Sequence, residues 1–402
     1  MFIKNRPYYY RRIEPFIGKE IIKVITGQRR SGKSYFLRQL AMELEKTFPG
    51  KPRIYIDKER LEFDFIRNYE DLTAYVQSKA QDKPAILFID EVQEIQDFQK
   101  ALRHLLNTGR WDIYITGSNA DILSGELATL LSGRYIALEM FPLSYPEFLD
   151  FRELPDTPQT FRYYLRYGGM PYLMHLPFED EVIYEYLSNV TDTILFKDVV
   201  ARYRIRDIEF LENLTHYVAD NIGNIVSAKK ISDYLKSQKL KFNHNTVLDY
   251  LNYLAKAFLV HRAKRYDLQG KRILEIGEKD YFTDHGIRNA ITGFHQADTG
   301  KLFENIVYNH LKLTGHEVFI GKWRNKEIDF VARSGDTVTY IQVTLSLADE
   351  KVREREIGNL LAVKDNYPKL VVTGDEYVSG TQNGIRIINI REFLMQLKIS
   401  VS

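Results

Sequence analysis

Eight consecutive residues, Gly27, Gln28, Arg29, Arg30, Ser31, Gly32, Lys33 and Ser34, fit the GxxxxGK[ST] spacing, directly after an apolar run at 21–26 and directly before a stretch of helical periodicity. Two glycines let successive backbone N–H groups wrap a polyphosphate. The Lys33 ammonium would stand between β- and γ-phosphate, and the Ser34 hydroxyl would ligate Mg²⁺, so all eight are candidate ATP-binding positions. Arg29 and Arg30 either add charge to the loop or face solvent. A second element is needed, and the apolar run 85–89 delivers Asp90 and Glu91 at its end. Asp90 would hold Mg²⁺ through its water; Glu91 would orient and deprotonate an attacking water. The run at 112–116 leads into Gly117, Ser118 and Asn119. These either sense the γ-phosphate or simply close a turn.

Short apolar runs at 20–26, 53–57, 85–90 and 112–116 alternate with helical patterns at 34–46, 69–80 and 97–107. That alternation predicts an α/β fold with a largely parallel sheet covered on both faces, the arrangement in which ligands collect at the strands' carboxyl ends. At 402 residues and about 150 residues per domain, two or three domains are expected. The chain is 44% hydrophobic and 27% charged, a globular balance. With no Cys there is neither disulfide nor thiolate chemistry. Nowhere do about 18 apolar residues run together, so a cytoplasmic protein without a membrane span is expected. The nine histidines are scattered and form no HExxH, which argues against structural zinc.

Net charge is only +2, so affinity for nucleic acid has to come from clustering. Residues 229–272 hold eleven Lys or Arg against three Asp, a local +8 that leaves −6 for everything else. The same stretch belongs to three helical patterns, 207–223, 227–238 and 243–258, followed by two strands turning near Gly270. Three helices and a hairpin form a winged-helix pattern. Its third helix would enter the major groove of double-stranded DNA through Asn243, His244, Asn245 and Thr246, while Arg262, Lys264, Arg265, Lys271 and Arg272 line the wing. Winged helices also dock proteins, so a protein partner is the competing expectation.

The phosphate loop, the Asp90–Glu91 strand end, the polar end at Ser118 and Asn119, and the segments 131–149 and 164–173 together resemble AAA-type and STAND-like ATPases of bacteria and archaea. In particular they resemble the family joining such an ATPase to a C-terminal domain of unknown function. The likeness continues through 186–200 and 279–290 into the last domain. It implies that Gly169 and Pro171 lie against adenine, and ATPases of this class often assemble, which makes a homo-oligomer one expected partner state. Arg134 becomes the candidate for an arginine contacting the γ-phosphate, in cis or from a neighbouring subunit, with a structural ion pair as its alternative.

In the C-terminal hundred residues, Glu327-Ile328-Asp329 followed by Gln342 resembles the PD-(D/E)xK nuclease core. Asp329 matches the first acid, Gln342 the second, and Glu304 the frequent extra carboxylate of a metal site. Thr344 occupies the lysine position and cannot supply the charge that activates water. Lys326 or Lys351 would have to replace it. Either an active nuclease or a nuclease-like fold kept for binding follows. The expected organisation is an ATPase core at 1–140, a helical lid at 141–205, a winged helix at 206–300 and a nuclease-like α/β domain at 301–402. The expected function is an Mg²⁺-dependent ATPase acting on or near DNA, with an ATP-gated nuclease or a protein-binding nucleotide switch as rivals.

Overall fold

The computed structural model describes residues 4–123, 131, 133–237, 244–376 and 378–396. The chain divides into two compact units, one built from the residues up to Met140 with Lys256–Phe258, the other from the rest.

In the first unit, α1 (Pro7–Ile13) precedes β1 (Ile22–Thr26), α2 (Lys33–Thr47), β2 (Arg53–Asp57), α3 (Tyr69–Ala80), β3 (Ala85–Asp90), α4 (Phe98–Asn107), β4 (Trp111–Gly117) and β5 (Tyr135–Glu139). The five strands are all parallel, in the order β2-β3-β4-β1-β5. β3 and β4 are buried along their whole length, which is why they read as continuous apolar runs and not as alternation. α3 and α4 lay Leu72, Val76, Leu102 and Leu105 on Leu87, Ile89, Ile113 and Ile115. Asn68 and Asp71 form a capping box that starts α3 at its observed residue. Since every strand points the same way, the segments after β1, β3 and β4 leave the sheet at one edge. β4 lies between the other two.

One charge pair sits inside this core. The Lys23 Nζ on β1 donates to Asp112 Oδ1 on β4 at 2.5 Å and to the Lys19 carbonyl at 3.0 Å. Asp112 Oδ2 accepts from the Gly18 amide at 3.0 Å and the Tyr114 hydroxyl at 3.1 Å. Asp112→Ala is expected to destabilise the protein by about 3–5 kcal/mol because it strands a buried ammonium, whereas the double change Lys23→Met/Asp112→Leu should cost far less. Urea unfolding of the single and double variants measures the difference; equal losses would mean that the pair's burial is not what matters.

The second unit begins with α5 (Tyr145–Arg152), α6 (Pro158–Tyr167) and α7 (Asp180–Thr193), which runs on as a π-helical stretch over Ile194–Ala201. Next come α8 (Ile208–Asp220), β6 (Ile225–Val226), α9 (Ala228–Ser237), α10 (His244–Lys256), β7 (Val260–Asp267) and β8 (Arg272–Phe282). After α11 (His285–Thr292) and α12 (Thr299–Leu313) come β9 (Glu317–Trp323), β10 (Lys326–Ser334), β11 (Thr337–Thr344), α13 (Glu350–Ala362), β12 (Lys369–Thr373), β13 (Gly380–Gln382), β14 (Ile385–Asn389) and α14 (Ile390–Met395). β9, β10 and β11 form an antiparallel meander, and α13 then carries the chain to β12, which runs parallel to β11.

The boundary expected at residue 300 falls inside a single sheet. Its nine strands run β13-β14-β12-β11-β10-β9-β7-β8-β6. Arg265–Asp267 of β7 pair in parallel with Ile320–Lys322 of β9, so the hairpin read as a wing has one edge covered by the strands that follow residue 300. A hairpin is written in local sequence; the strand that will satisfy its open edge is not.

Candidate functional site

Gly27 leaves β1 at φ 139°, and a Cβ there would fall 2.2 Å from the Met140 carbonyl oxygen. Gly32 turns the chain into α2 at φ 100°. Glycine's freedom at both points is what lets the loop fold over its own lysine. Lys33 opens α2 and donates from Nζ to the carbonyls of Gly27 at 3.0 Å and Gln28 at 2.9 Å. Beside it the Ser31 hydroxyl and both polar atoms of the Gln28 side chain are buried without a protein partner. Buried polar atoms are nearly always paired, and a phosphate group could accept from the Ser31 hydroxyl and the Gln28 side-chain amide nitrogen. Arg29 pairs with Glu59 at 3.3 Å, and Arg30 is exposed.

The loop is also held from behind. Buried Arg6, at the start of α1, donates from Nη1 to the Ser31 carbonyl at 3.0 Å and lies 4.5 Å from the Tyr9 ring centroid. No motif marks Arg6, because its contact spans 25 residues. Arg6→Ala is expected to raise the Kd for ATP roughly tenfold, the worth of a lost charged hydrogen bond, with little change in kcat. A fluorescent-nucleotide titration beside steady-state kinetics reads this; an unchanged Kd would remove Arg6 from the site.

At the end of β3, Asp90 Oδ1 accepts from the Thr116 hydroxyl at 2.5 Å, and the same Thr116 oxygen accepts from the Glu91 amide at 3.0 Å. Burial pushes the Asp90 carboxyl above its ordinary pKa, against hydrogen bonds from Thr116 and Ser34. A desolvated carboxylate bonded to a hydroxyl is a hard-oxygen donor pair, the chemistry that Mg²⁺ requires, so Ser34 and Asp90 fit the metal that comes with ATP. Glu91 has φ 55°, a left-handed conformation uncommon outside glycine. Its Oε2 accepts from the Ser118 hydroxyl at 3.1 Å and from the Gln93 side-chain amide. Burial alone would raise the Glu91 pKa, but Lys33, Gln93, Arg29 and Ser118 together outweigh it and hold the carboxyl below its ordinary value.

Lys33, Ser34, Asp90, Glu91 and Ser118 are therefore brought together. Asn119 serves the turn instead, its Oδ1 accepting from the Asp121 amide at 2.8 Å. Thr116 and Gln93 were missed by sequence reasoning. A polar residue two positions beyond an acidic strand end is the signal that would have found Gln93.

For Arg134 the contact in cis requires a correction. Its carbonyl accepts from the Ile22 amide at 3.0 Å, at the beginning of β1, while the phosphate loop leaves the strand's other end. Five residues at about 3.3 Å each separate the two edges, too far for a contact in cis. The side chain instead bonds Asn107 at 3.0 Å. Gly169 and Pro171 lie in the second unit, where the Gly169 amide donates to Asp284 at 2.8 Å and a Cβ would come 2.2 Å from the Leu143 carbonyl oxygen. Packing within that unit already requires glycine there.

Among the basic residues, Asn243 lies outside the described residues. Asn245 and Thr246 occupy the first turn of α10, and Lys264, Lys271 and Arg272 are exposed on the hairpin, with Arg265 half-buried. Arg262 is a correction. It pairs with Glu278 at 2.7 Å and Asp280 at 3.2 Å and bonds Asn252 at 2.9 Å, so its charge is spent internally.

In the nuclease-like segment, Asp329 Oδ2 accepts from the Val343 amide at 2.8 Å, and the Asp329 amide donates to Gln342 Oε1 at 2.7 Å. Glu304 on α12 bonds Lys279 at 2.9 Å. Lys326 donates to the Gly358 carbonyl at 3.2 Å, and Lys351 is exposed on α13; the lysine beside these acids is Lys279, from β8. Among the described residues no three His, Cys, Asp or Glu are grouped so as to hold a metal ion, and no helix is long and apolar enough to cross a membrane.

Comparison with known proteins adds family evidence. Residues 19–149 match the AAA domain family, and residues 158–298 match a domain of unknown function, DUF8612. An uncharacterized protein of Haemophilus influenzae is 36% identical over 401 residues, covering 98% of each chain. Another, from Methanocaldococcus jannaschii, is 32% identical over 356 residues, covering 84% of this chain and 77% of its own. The Walker-type ATPase PABY2304 of Pyrococcus abyssi aligns with a TM-score of 0.49 at 16% identity, over 72% of this chain and 96% of its own.

Proposed function

The chain belongs to the family of these bacterial and archaeal relatives and carries an AAA domain at its N-terminal end, and we propose that it is an Mg²⁺-dependent ATPase whose nucleotide state controls a DNA-associated C-terminal half. The observation that carries the ATPase reading is the meeting of Lys33, Ser34, Asp90 and Glu91 at one edge of the parallel sheet. Lys33 would exchange the Gly27 and Gln28 carbonyls for phosphate oxygens. Ser34 and Asp90 would hold the metal, which when bound neutralises charge on the β- and γ-phosphates. Glu91, already ionised and aimed by Ser118 and Gln93, would take the proton of the attacking water.

The winged-helix reading of 206–300 is supported by element order and by β6, which pairs antiparallel with β8 before α9 and α10 follow. The nuclease-like reading of 301–402 is supported by the order α12, β9, β10, β11, α13, β12. Lys264, Lys271 and Arg272 are exposed where phosphate contacts would form. Duplex DNA binding should then weaken steeply with salt, and replacing these three by Ala should lower the slope of log K against log salt by about three. Fluorescence anisotropy across a salt series tests this. If no duplex binds at low salt, the C-terminal half docks a protein.

A further inference from the structure

A metal site of the nuclease-like core needs carboxylate oxygens converging on one point with their lone pairs uncommitted. At the corresponding place here one oxygen each of Glu304, Glu327 and Asp329 is already taken by a protein donor. Lys279, on β8, is 4% exposed at its side chain and sets its Nζ 2.9 Å from Glu304 Oε1 and 2.8 Å from Glu327 Oε1. The Tyr281 hydroxyl donates to the same Glu304 oxygen. Behind Glu304 the chain closes in, since a Cβ on Gly223 would lie only 3.3 Å from its carboxylate. Gln342, at the second acidic position of the motif, uses its Oε1 on the Asp329 amide at 2.7 Å and its Nε2 on Glu356 at 2.5 Å. Asp329 gives Oδ2 to the Val343 amide at 2.8 Å.

We infer that Lys279 is a built-in cation standing where the nuclease-like fold would hold its metal, so that this domain is a closed, metal-free binding module and not a nuclease. Three features agree. The Nζ spacings of 2.9 and 2.8 Å are those of an ammonium paired with two carboxylates. A divalent ion entering beside a retained Lys279 would meet like charge at close range in a poorly solvated place, so it must first expel the lysine. Thr344 stands at the motif's lysine position, and a domain that cleaves nothing has no use for a water-activating charge there. Lys279 also joins three elements distant in sequence, β8, α12 and β10, and so fastens the hairpin to the layers of the last domain.

This inference rests on the nuclease-like reading of 301–402 and is independent of the ATPase reading, because its test omits nucleotide. The full chain is titrated with Mn²⁺ and the free ion is followed by electron paramagnetic resonance, for wild type, Asp329→Asn, Lys279→Gln and Lys279→Gln/Glu304→Gln, alongside plasmid nicking in Mg²⁺ or Mn²⁺. Wild type should show no Mn²⁺ uptake that depends on Asp329 up to ~1 mM, the weak end of carboxylate sites, and no nicking. Lys279→Gln should gain one Mn²⁺ at least tenfold tighter than that, and the double variant should lose it. Uptake or nicking by wild type that Asp329→Asn abolishes would overturn the inference. So would a folded Lys279→Gln that gains no ion; if that variant does not fold, the wild-type and Asp329→Asn comparison decides alone.

Discussion

Lys33→Ala is expected to abolish ATP turnover and to weaken ATP binding by about 10²-fold, the largest effect expected of any single change in this chain. The ammonium is buried, its Nζ within 3.0 Å of two loop carbonyls, and a polyphosphate seated in the loop would take those bonds over as charge-assisted ones. Such bonds are worth about 1.5–3 kcal/mol each, more where water is excluded. Removing the side chain also leaves the Gly27 and Gln28 carbonyls without that donor, so a stability loss of about 1–3 kcal/mol accompanies the functional one. Circular dichroism and thermal unfolding separate the two. A folded Lys33→Ala chain that binds fluorescent ATP as tightly as wild type would sink the phosphate-loop assignment, whatever its turnover.

Glu91→Gln is expected to act differently, lowering kcat by about 10²–10⁴ while leaving the Kd for ATP within a few-fold. The substitution keeps shape and hydrogen-bonding reach but removes the basicity that proton abstraction needs. The pH profile of kcat/KM, which reports the nucleotide-free protein, is expected to carry a second signature. There Lys33, Gln93, Arg29 and Ser118 outweigh burial and hold the Glu91 pKa below its ordinary value, so the acid limb should lie below the usual carboxylate range. Gln93→Ala removes one of those influences and should move that limb upward. Near-normal turnover by Glu91→Gln would assign the base elsewhere, and an acid limb unmoved by Gln93→Ala would make the Gln93 contact one of packing only.

The phosphate loop could be read because its chemistry is consecutive: backbone amides, a lysine and a hydroxyl within eight residues impose glycines where no side chain fits, as the 2.2 Å approach at Gly27 illustrates. The same holds for the parallel sheet. Its central strands β1, β3 and β4 are buried along their whole length and so read as unbroken apolar runs, with Asp90 and Glu91 at the end of one of them. Local pattern likewise marked the hairpin after α10.

Residue type and spacing thus marked by themselves the runs that became β1 to β4, where a polyphosphate would sit, and which carboxylates stand at the end of β3, while β5 went unread. Tertiary structure alone decided which charges are spent. It placed Arg134 at the wrong edge of the sheet, consumed Arg262 in Glu278 and Asp280, and joined the hairpin to β9. It also brought Arg6 under the loop and Lys279 between two glutamates. For Arg6, Arg262, Lys279 and the hairpin edge the physical reason is shared. A buried charge or an open strand edge must find a partner somewhere, but the requirement states only that a partner exists and not how far along the chain it lies.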